Sequence, residues 1–312
     1  MGISPHGAKF LLHARAAGVN FADTATIGRQ GLYVTPAEMR HVFDAFGQSA
    51  DDGEIEALCR GAAGYAEPFF AHLGAVRTDS FDFSDFEAAT FTHDMNTAIP
   101  ERFHQRYSLV LDSGTLEHIF NFPTAIRNCM EMVRVGGHFV SITPANNFFG
   151  HGFYQFSPEL YFTVLAPENG FAVRTMMAFE DTRNAVWYEV RSPHDVRERV
   201  TLQNSEPVYL CIIAERTADR PIFAHTPQQS DYVVRWNGAE QPAVAATAGP
   251  RPLPIRLAKL VLPFAVRQSI REAFTRPAPP IKPGFDPRFF RRIGPRPRPL
   301  AAPDAAGRDG IS

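Results

Sequence analysis

The fold is decided by YSLVLDSGTLEH at residues 107–118, together with GGHFVSITP at residues 136–144. The first run is an apolar strand over residues 107–111 that ends at Asp112. The second is a glycine pair that turns into another apolar strand over residues 139–143. A helical pattern over residues 124–133 lies between them. This order predicts two parallel strands joined by a crossover helix, because parallel neighbours need a connection of roughly a dozen residues or more.

The same alternation extends to both sides of this unit. Four further helices are predicted at residues 36–46, with Thr35 as the cap, and at residues 54–60, 66–73 and 157–165. Five further strands are predicted at residues 21–27, 75–81, 90–92, 171–179 and 207–214. The sequence therefore predicts an α/β fold with a doubly wound, mostly parallel sheet of seven strands.

The composition narrows the class of protein. The chain has 312 residues, of which 45% are hydrophobic, and a formal net charge of -2. It can bury a substantial core, and it is not a uniformly basic nucleic-acid binder. Residues 1–20 lack the apolar core of an export signal, and no apolar run reaches the 18 or so residues of a membrane span. Three scattered cysteines form no CxxC pair, so we expect a soluble cytoplasmic protein.

A change of composition near residue 240 predicts a domain boundary. Residues 241–312 contain 13 Lys and Arg against 4 Asp and Glu, a balance of +9 that leaves -11 for residues 1–240, and they contain 14 of the 26 prolines. We expect a basic, Pro/Arg-rich, partly disordered tail with a basic amphipathic helix at residues 253–275. Its predicted contacts are an anionic membrane surface, a partner protein or the acidic body of the same chain.

Ligands of doubly wound sheets bind at the carboxyl ends of the strands. The residues that follow the predicted strands are polar or acidic: Gly28 to Gly31, Asp79 and Asp82, Asp94 and Asn96, Asp112 to His118, and Pro144 to Asn147. Acidic groups at successive strand ends suit a ligand with hydroxyl groups and a positive centre. A diphosphate would favour basic side chains and a helix N-terminus.

Residues 107–171 resemble the second half of a class I S-adenosylmethionine-dependent methyltransferase. The features shared with that family are the apolar strand, the Leu116-Glu117-His118 turn, the helix, the Gly136-Gly137 pair and the strand ending in Thr143-Pro144. The resemblance covers about residues 20–215, and it implies a Rossmann-like methyltransferase domain over residues 1–240. S-adenosylmethionine is the implied cofactor.

The resemblance also implies a role for each matching position. Gly28 would let the backbone approach the amino-acid end of the cofactor, and Asp82 would bind the ribose hydroxyls. Asp94 would accept a hydrogen bond from the adenine amino group. Three residues, Asp112, Ser113 and Gly114, would border the methionine moiety and its sulfonium.

The first glycine-rich motif is degenerate in this chain. Residues 26–32 read TIGRQGL and keep only the first glycine, Gly28, in register, while Gln30 brings a side chain close to the cofactor position. This departure keeps a second hypothesis open, in which the chain is a non-catalytic methyltransferase-like module that acts through its tail. An NAD-dependent enzyme is the third and weakest reading, because the pyrophosphate fingerprint is missing.

Residues 146–159 are the candidate acceptor side. They combine His151, Tyr154 and Gln155 with four phenylalanines in a loop beyond a strand end. We assign His151 and His118 as candidate catalytic bases, because an imidazole with a pKa near 6.5 suits neutral pH. The acceptor-binding candidates are Glu117, Asn146, Tyr154 and Gln155. The predicted acceptor is a small molecule or a glycan. As the alternative to this reading, the aromatic residues of the loop would simply close the core.

Other catalytic classes receive less support from the spacing. His93, His118 and His151 lie near acidic residues, but no HxxxH or CxxC pattern occurs, so no metal is predicted. A Ser/His/Asp triad is also disfavoured, since the chain has no GxSxG elbow.

Overall fold

A computed structural model describes residues 2–230 and 283–293. Eleven strands are found in this part of the chain: β1 (Gly2–Ile3), β2 (Asp23–Ile27), β3 (Gly31–Leu32), β4 (Arg77–Asp82), β5 (Phe91–Thr92), β6 (Tyr107–Ser113), β7 (Val133–Asn146), β8 (Phe171–Glu180), β9 (Trp187–Val190), β10 (Val208–Arg216) and β11 (Phe290–Arg292). The α-helices are α1 (Pro5–Ala16), α2 (Pro36–Ala45), α3 (Asp52–Arg60), α4 (Glu67–His72), α5 (Phe122–Met132), α6 (Pro158–Val164) and α7 (Pro193–Val196).

Nine of the strands form one sheet in the order β11-β9-β8-β10-β7-β6-β2-β4-β5. The five strands from β7 to β5 run parallel to one another. Strand β10 is antiparallel to both of its neighbours, and β8, β9 and β11 continue the sheet with antiparallel pairs. The α/β, mostly parallel fold is therefore confirmed.

The sheet has nine strands in the described residues, and the predicted number of seven was wrong. All seven predicted strands are present, and the two extra ones, β9 and β11, lie at one edge. They have four and three residues, too short to show a clear alternation of apolar and polar positions. Strand β11 also lies in the Pro/Arg-rich region, where no strand is predicted.

Helices cover both faces of the sheet. One hydrophobic cluster lies between the sheet and helices α5 and α6, and the other between the sheet and helices α1 to α4. Strand β6 is buried along its whole length, with Val110 in the first cluster and Leu109 and Leu111 in the second. Successive side chains of a strand point to opposite faces, so an uninterrupted apolar run is what a strand covered on both sides requires.

Helix α2 begins where the sequence predicts it. The Thr35 hydroxyl accepts a hydrogen bond from the Glu38 backbone N–H, and the Glu38 carboxylate accepts one from the Thr35 backbone N–H. This reciprocal pair satisfies two donors that the first turn of a helix leaves unpaired. Ser157 caps α6 in the same region that the sequence indicated.

The N-terminal residues add two elements that the sequence analysis did not identify. Helix α1 packs its apolar side chains into the second cluster, and β1 pairs in parallel with β3 to form a separate two-stranded sheet. This small sheet brings Gly2 against Gly31, beside the loop that follows β2. The N-terminal segment therefore contributes to the surroundings of the predicted cofactor loop.

The Gly136-Gly137 pair was predicted as a turn before a strand, but strand β7 already begins at Val133 and passes through both glycines. Gly136 has φ +78°, and a Cβ on Gly137 would lie 3.0 Å from the backbone oxygens of Tyr107 and Ser108. The pair therefore lets β7 approach β6 closely at an irregular point of the ladder.

Part of the predicted tail packs on the body. Strand β11 pairs with β9, and the ring of Phe285 stacks on Tyr188 with centroids 4.0 Å apart. The predicted helix at 253–275 lies outside the described residues, and the boundary at residue 240 stays a prediction. Within the described residues, no helix combines the length and the apolar character that crossing a membrane requires.

Candidate functional site

The strand order of the sheet reverses at β2, which lies between β4 and β6. From β2 the chain extends the sheet first through β4 and β5 and later, on the other side, through β6 and β7. Strand pairing places Ile27 opposite both Phe81 and Asp112, so the carboxyl ends of these strands meet at one edge. A crevice at such a switch point is where doubly wound sheets bind ligands.

The residues predicted to bind a cofactor lie at this edge in two groups. We call the ends of β2 and β6 the inner half of the crevice; it contains Gly28, Gln30, Asp112, Ser113 and Gly114. We call the ends of β4 and β5 the outer half; it contains Asp82 and Asp94. The structure thus gathers the predicted positions along one crevice, while their roles toward a cofactor stay predictions.

In the inner half, the loop after β2 is closed by the protein's own side chains. Gly28 has φ +71°, and its backbone N–H donates to the Phe81 carbonyl at 2.7 Å. The Gln30 side chain is 2% exposed, and its Nε2 donates to the Ile27 carbonyl at 2.7 Å. The Thr115 hydroxyl donates to the same carbonyl at 2.7 Å. Gln30 Oε1 is buried and has no hydrogen-bond partner among the described residues.

Arg29 fixes the same loop from the other side. Its guanidinium lies 3.8 Å from the centroid of the Tyr65 ring, and Nε forms an ion pair with Glu67 at 2.7 Å. Its Nη1 donates to the Glu87 carbonyl at 2.9 Å. These contacts tie the loop after β2 to α4 and to the loop after β4.

Asp112 is directed into the protein. It is fully buried, its Oδ1 accepts hydrogen bonds from the backbone N–H groups of Thr115 and Leu116 at 3.1 Å each, and its Oδ2 accepts one from the Ser141 hydroxyl at 2.9 Å. Burial raises the pKa of Asp112 to about 6, although these hydrogen bonds act in the opposite direction. The carboxylate therefore holds the turn at residues 115–118.

The other two inner residues also have internal partners. The Ser113 hydroxyl donates to the Gly2 carbonyl at 3.3 Å, which links the end of β6 to β1. Gly114 has φ +80°, and its backbone N–H donates to the Ile142 carbonyl at 3.1 Å.

The outer half is arranged differently. Asp82 is half-buried, and its Oδ1 accepts a long hydrogen bond, 3.4 Å, from the Ser84 backbone N–H. Asp94 Oδ1 accepts hydrogen bonds from the backbone and side-chain N–H groups of Asn96 at 2.9 and 2.7 Å, which lower the pKa of Asp94. The His93 backbone N–H donates to the Asp82 carbonyl at 2.7 Å and joins the two turns. These bonds engage one carboxylate oxygen of each aspartate.

Next to the end of β6, three further candidates form what we call the Glu–His cluster: Glu117, His118 and His151. Glu117 is 1% exposed, and its Oε1 lies 3.5 Å from Nε2 of the exposed His151. The rings of His118 and His151 meet edge to face with centroids 4.9 Å apart. His118 and His151 are the predicted bases and Glu117 is a predicted acceptor-binding residue, and the structure brings all three together.

The electrostatics of the cluster follow from burial. Loss of water, and secondarily the Asp112 carboxylate, raise the pKa of Glu117 to about 8. Loss of water, and secondarily the neighbouring His151, lower the pKa of His118. At neutral pH His118 is therefore an uncharged imidazole, the form that can accept a proton.

A loop over residues 147–156, here called the aromatic loop, carries His151 across Glu117. The Glu117 carbonyl accepts hydrogen bonds from the backbone N–H groups of Phe153 and Tyr154 at 2.7 and 3.2 Å. A Cβ at Gly152, where φ is +67°, would lie 2.8 Å from that carbonyl oxygen. Only a glycine allows this close approach, and the sequence analysis did not assign Gly152 a role.

The other acceptor-side candidates hold this loop in place. The Tyr154 hydroxyl donates to the Phe120 carbonyl at 2.7 Å, and Gln155 Oε1 accepts from the Phe148 backbone N–H at 2.8 Å. The Asn146 side chain donates to Asn204 Oδ1 at 2.8 Å. Their binding roles stay predictions, since each side chain has a partner within the protein.

Exposed aromatic rings surround the Glu–His cluster. Phe120 and Phe153 are 72% and 65% exposed, with ring centroids 5.8 Å apart, and Phe149 is fully exposed. The alternative in which the loop only closes the core is correct for Phe156, which is buried, but not for Phe149 and Phe153. They form an apolar surface next to polar, titratable groups.

A cavity of about 710 Å³ lies elsewhere, at the edge of the sheet formed by β8, β9 and β11. Its lining includes Phe162, Arg174, Tyr188 and Arg291 and none of the predicted site residues. The shifted pKa values of Asp94, Asp112, Glu117 and His118 lie at the switch-point crevice, which is therefore the candidate site.

Among known proteins, the chain shows only distant similarity to solved structures. No family model and no curated protein matches the chain. Solved structures that match include a methyltransferase from Mesorhizobium loti that is S-adenosylmethionine-dependent, at 12% identity over 68% of this chain and 100% of that chain (TM-score 0.35). Another is the 1,6-didemethyltoxoflavin-N1-methyltransferase from Burkholderia thailandensis, at 12% identity over 69% and 78% (TM-score 0.36). A third is TehB from Haemophilus influenzae, at 12% identity over 65% and 61% (TM-score 0.35).

Similarities this distant describe the fold alone. With TM-scores of 0.35 and 0.36 they carry no further argument, and the α/β fold of this chain rests on its own strand order.

Proposed function

We propose that the chain is an S-adenosylmethionine-dependent methyltransferase whose acceptor binds beside the Glu–His cluster. The proposal rests on one arrangement: the carboxylates of Asp82 and Asp94 and the imidazoles of His118 and His151 lie along the same switch-point crevice. The two carboxylates suit a nucleoside, and the two imidazoles suit an acceptor that must lose a proton.

The outer half has the chemistry that an adenosine group requires. An ionised carboxylate at Asp82 can accept hydrogen bonds from a ribose diol, and such charge-assisted bonds are stronger than neutral ones. Asp94, whose pKa is lowered, remains ionised at neutral pH and can accept from an exocyclic amino group. The exposed rings of Phe83 and Phe86 follow Asp82 directly and offer apolar surface nearby.

The inner half fits the amino-acid end of the cofactor at one atom. Gln30 Oε1 is a buried acceptor without a partner among the described residues, so an ammonium group there would satisfy it. The cofactor, when bound, supplies an electrophilic methyl group on a sulfonium. The chain itself would contribute mainly by positioning, which can supply several kcal/mol of the roughly 7–11 available from orienting two reactants.

The Glu–His cluster would act on the acceptor. His118 is uncharged at neutral pH, so its imidazole can accept a proton from an acceptor hydroxyl, and the ring of His151 faces it. The Phe120, Phe149 and Phe153 rings would pack against the apolar face of the acceptor. This surface is consistent with a small ring-bearing molecule or a glycan.

Calorimetric titration with S-adenosylmethionine and with its demethylated product tests the proposal. Asp82→Asn should weaken binding by about 10-fold or more, because hydrogen bonds to charged groups contribute roughly 1.5–3 kcal/mol. Asp85→Asn, an exposed aspartate three residues away, is the matched control and should bind as the wild type does. Equal affinity in Asp82→Asn and the wild type would remove the assignment.

A second candidate function is supported by the closed inner half. With Gln30, Thr115 and Asp112 all bonded within the protein, the chain would be a non-catalytic module that acts through its basic tail. This candidate predicts no heat with either ligand at millimolar concentration and a partner that is lost when residues 241–282 are deleted. Measurable cofactor binding would exclude it.

A further inference from the structure

The Glu117 carboxyl group is buried beside two imidazoles. It is 1% exposed, and its Oε2 has no hydrogen-bond partner among the described residues. Its Oε1 reaches His151 Nε2 only at 3.5 Å, longer than an ordinary hydrogen bond. Buried polar groups are nearly always paired, so an unpaired carboxylate oxygen in a defined site calls for a missing partner.

The two histidines lie on the open side of this carboxyl group. One ligand atom from each of Glu117, His118 and His151 can be chosen so that all three lie within 4.8 Å of one another. Both imidazoles are exposed, so they can lose or exchange a water molecule without rearranging the core. The three side chains thus converge on one point from the protein side.

The backbone holds this geometry. The Asp112 carboxylate fixes the start of the turn that carries Glu117 and His118, through the N–H groups of Thr115 and Leu116. The aromatic loop is fixed over Glu117 by the hydrogen bond from the Phe153 backbone N–H, and Gly152 allows the contact. These bonds fix the backbone from which the three side chains extend.

We propose that Glu117, His118 and His151 bind one divalent transition-metal ion of the zinc class. Two imidazoles and one carboxylate are the donor set of open catalytic zinc sites, which keep a position for water or substrate. Ligand atoms around a tetrahedral zinc ion lie about 3.3 Å apart, given bonds of about 2.0–2.1 Å. The 3.5 Å between Glu117 and His151 is already close to that separation.

The proposed ion would change the role of the imidazoles. A histidine that ligates a metal is not free to accept a proton, so the acceptor oxygen would instead be activated as a ligand of the ion. Metal binding itself does not depend on the proposed methyl transfer. It can be measured without cofactor, so the failure of one proposal is distinguishable from the failure of the other.

The test uses the full chain, freed of any affinity tag and dialysed against EDTA and then against metal-free buffer. Zinc chloride is titrated by calorimetry, and bound metal is counted by mass spectrometry after gel filtration. We expect one zinc ion per chain. Cobalt(II) should give the intense visible absorption of a tetrahedral site, which zinc should abolish by displacement.

Variants show whether these three residues are the ligands. His151→Ala and Glu117→Gln should each lower zinc affinity by at least about 100-fold, more than the loss of a residue that only hydrogen-bonds to a metal ligand. His41→Ala and Glu101→Gln, at exposed positions outside the cluster, are the matched controls and should bind zinc as the wild type does. His151 is exposed, so its variant keeps the test valid even if Glu117→Gln does not fold.

Two results would overturn the proposal. One is the absence of stoichiometric zinc in the wild-type chain. The other is wild-type affinity in both His118→Ala and His151→Ala, which would move the bound ion to other residues. If activity is found, inhibition by EDTA with recovery on adding zinc would separate the metal from an imidazole base.

Discussion

At the ends of β2 and β6 the polar side chains bind the protein itself, whereas at the ends of β4 and β5 each aspartate has one carboxylate oxygen without a hydrogen bond from the described residues. Asp112 is fully buried and accepts three hydrogen bonds, while Asp82 is half-buried and accepts one long one. The same residue type at the end of neighbouring strands thus stabilises the fold in one half and remains available in the other. A position at a strand end does not by itself make a residue a ligand contact.

The largest difference between the halves should appear in stability. Asp112→Ala removes the acceptor of three hydrogen bonds in a buried site, and a buried polar group left unsatisfied costs roughly 1–3 kcal/mol. We expect the free energy of unfolding to fall by at least about 3 kcal/mol, measured by urea denaturation. Asp82→Ala, the counterpart in the outer half, should lose less than about 1 kcal/mol. Similar losses in both variants would erase the distinction.

The halves should also differ in their response to pH. Burial raises the pKa of Asp112 from its usual 3.8 to about 6, so the folded protein keeps this proton after the unfolded chain has lost it. Stability should therefore fall as pH rises from about 4 to 6, by at most about 1.4 kcal/mol per pH unit from this group. The Asp112→Asn variant should show a shallower fall over this interval.

The outer half should titrate in the opposite direction. Hydrogen bonds from Asn96 lower the pKa of Asp94, so the stabilisation from this group is complete above its usual pKa and is lost as pH falls through the lowered value. NMR titration of the two carboxyl groups measures the contrast directly. Asp112 titrating below Asp94 would contradict it.

Gln30 decides which function the inner half serves. If its Oε1 receives the cofactor's ammonium group, Gln30→Ala should weaken binding of S-adenosylhomocysteine by about 10-fold, the equivalent of about 1.4 kcal/mol. If Gln30 merely blocks the loop, the same variant should bind more tightly than the wild type. Calorimetry separates these signs, and Gln48→Ala, a glutamine between α2 and α3, is the matched control.

The smallest expected effect is the coupling between Gln30 and Thr115. Both donate to the Ile27 carbonyl, so either single variant keeps one of these two side-chain donors. Gln30→Ala with Thr115→Val removes both, and the double variant should lose about 0.5–1 kcal/mol more stability than the two single variants together. Simple additivity would show that the two donors do not share this acceptor.

The strands and the crevice could be predicted from sequence because their causes are local. Apolar runs fix the strands, Thr35 and Ser157 fix helix starts, and the order of elements fixes which strand ends meet. Helix α1 was not predicted, because residues 1–20 were considered only as a possible export signal. Strands β9 and β11 were missed because their pairing brings together residues about a hundred positions apart.

The orientation of the site side chains could not be predicted. Whether Asp112 turns inward depends on the N–H groups of Thr115 and Leu116, which face it only once the turn has formed. Glu117 and His151 meet because the aromatic loop folds back over the turn, and no sequence spacing encodes that contact. The partners predicted for the basic tail stay predictions, since most of the tail lies outside the described residues.

Strand β11 affects how the tail can be removed. Residues 283–293 cover the outer edge of β9, with the Arg191 backbone N–H bonded to the Phe289 carbonyl at 2.9 Å and Gly284 bridged to Gln203. A protein shortened at residue 240 would leave that edge bare, and an uncovered strand edge is a template for self-association. Precipitation of such a truncated chain would therefore result from the loss of β11 from the edge of β9 and not from the loss of a binding partner.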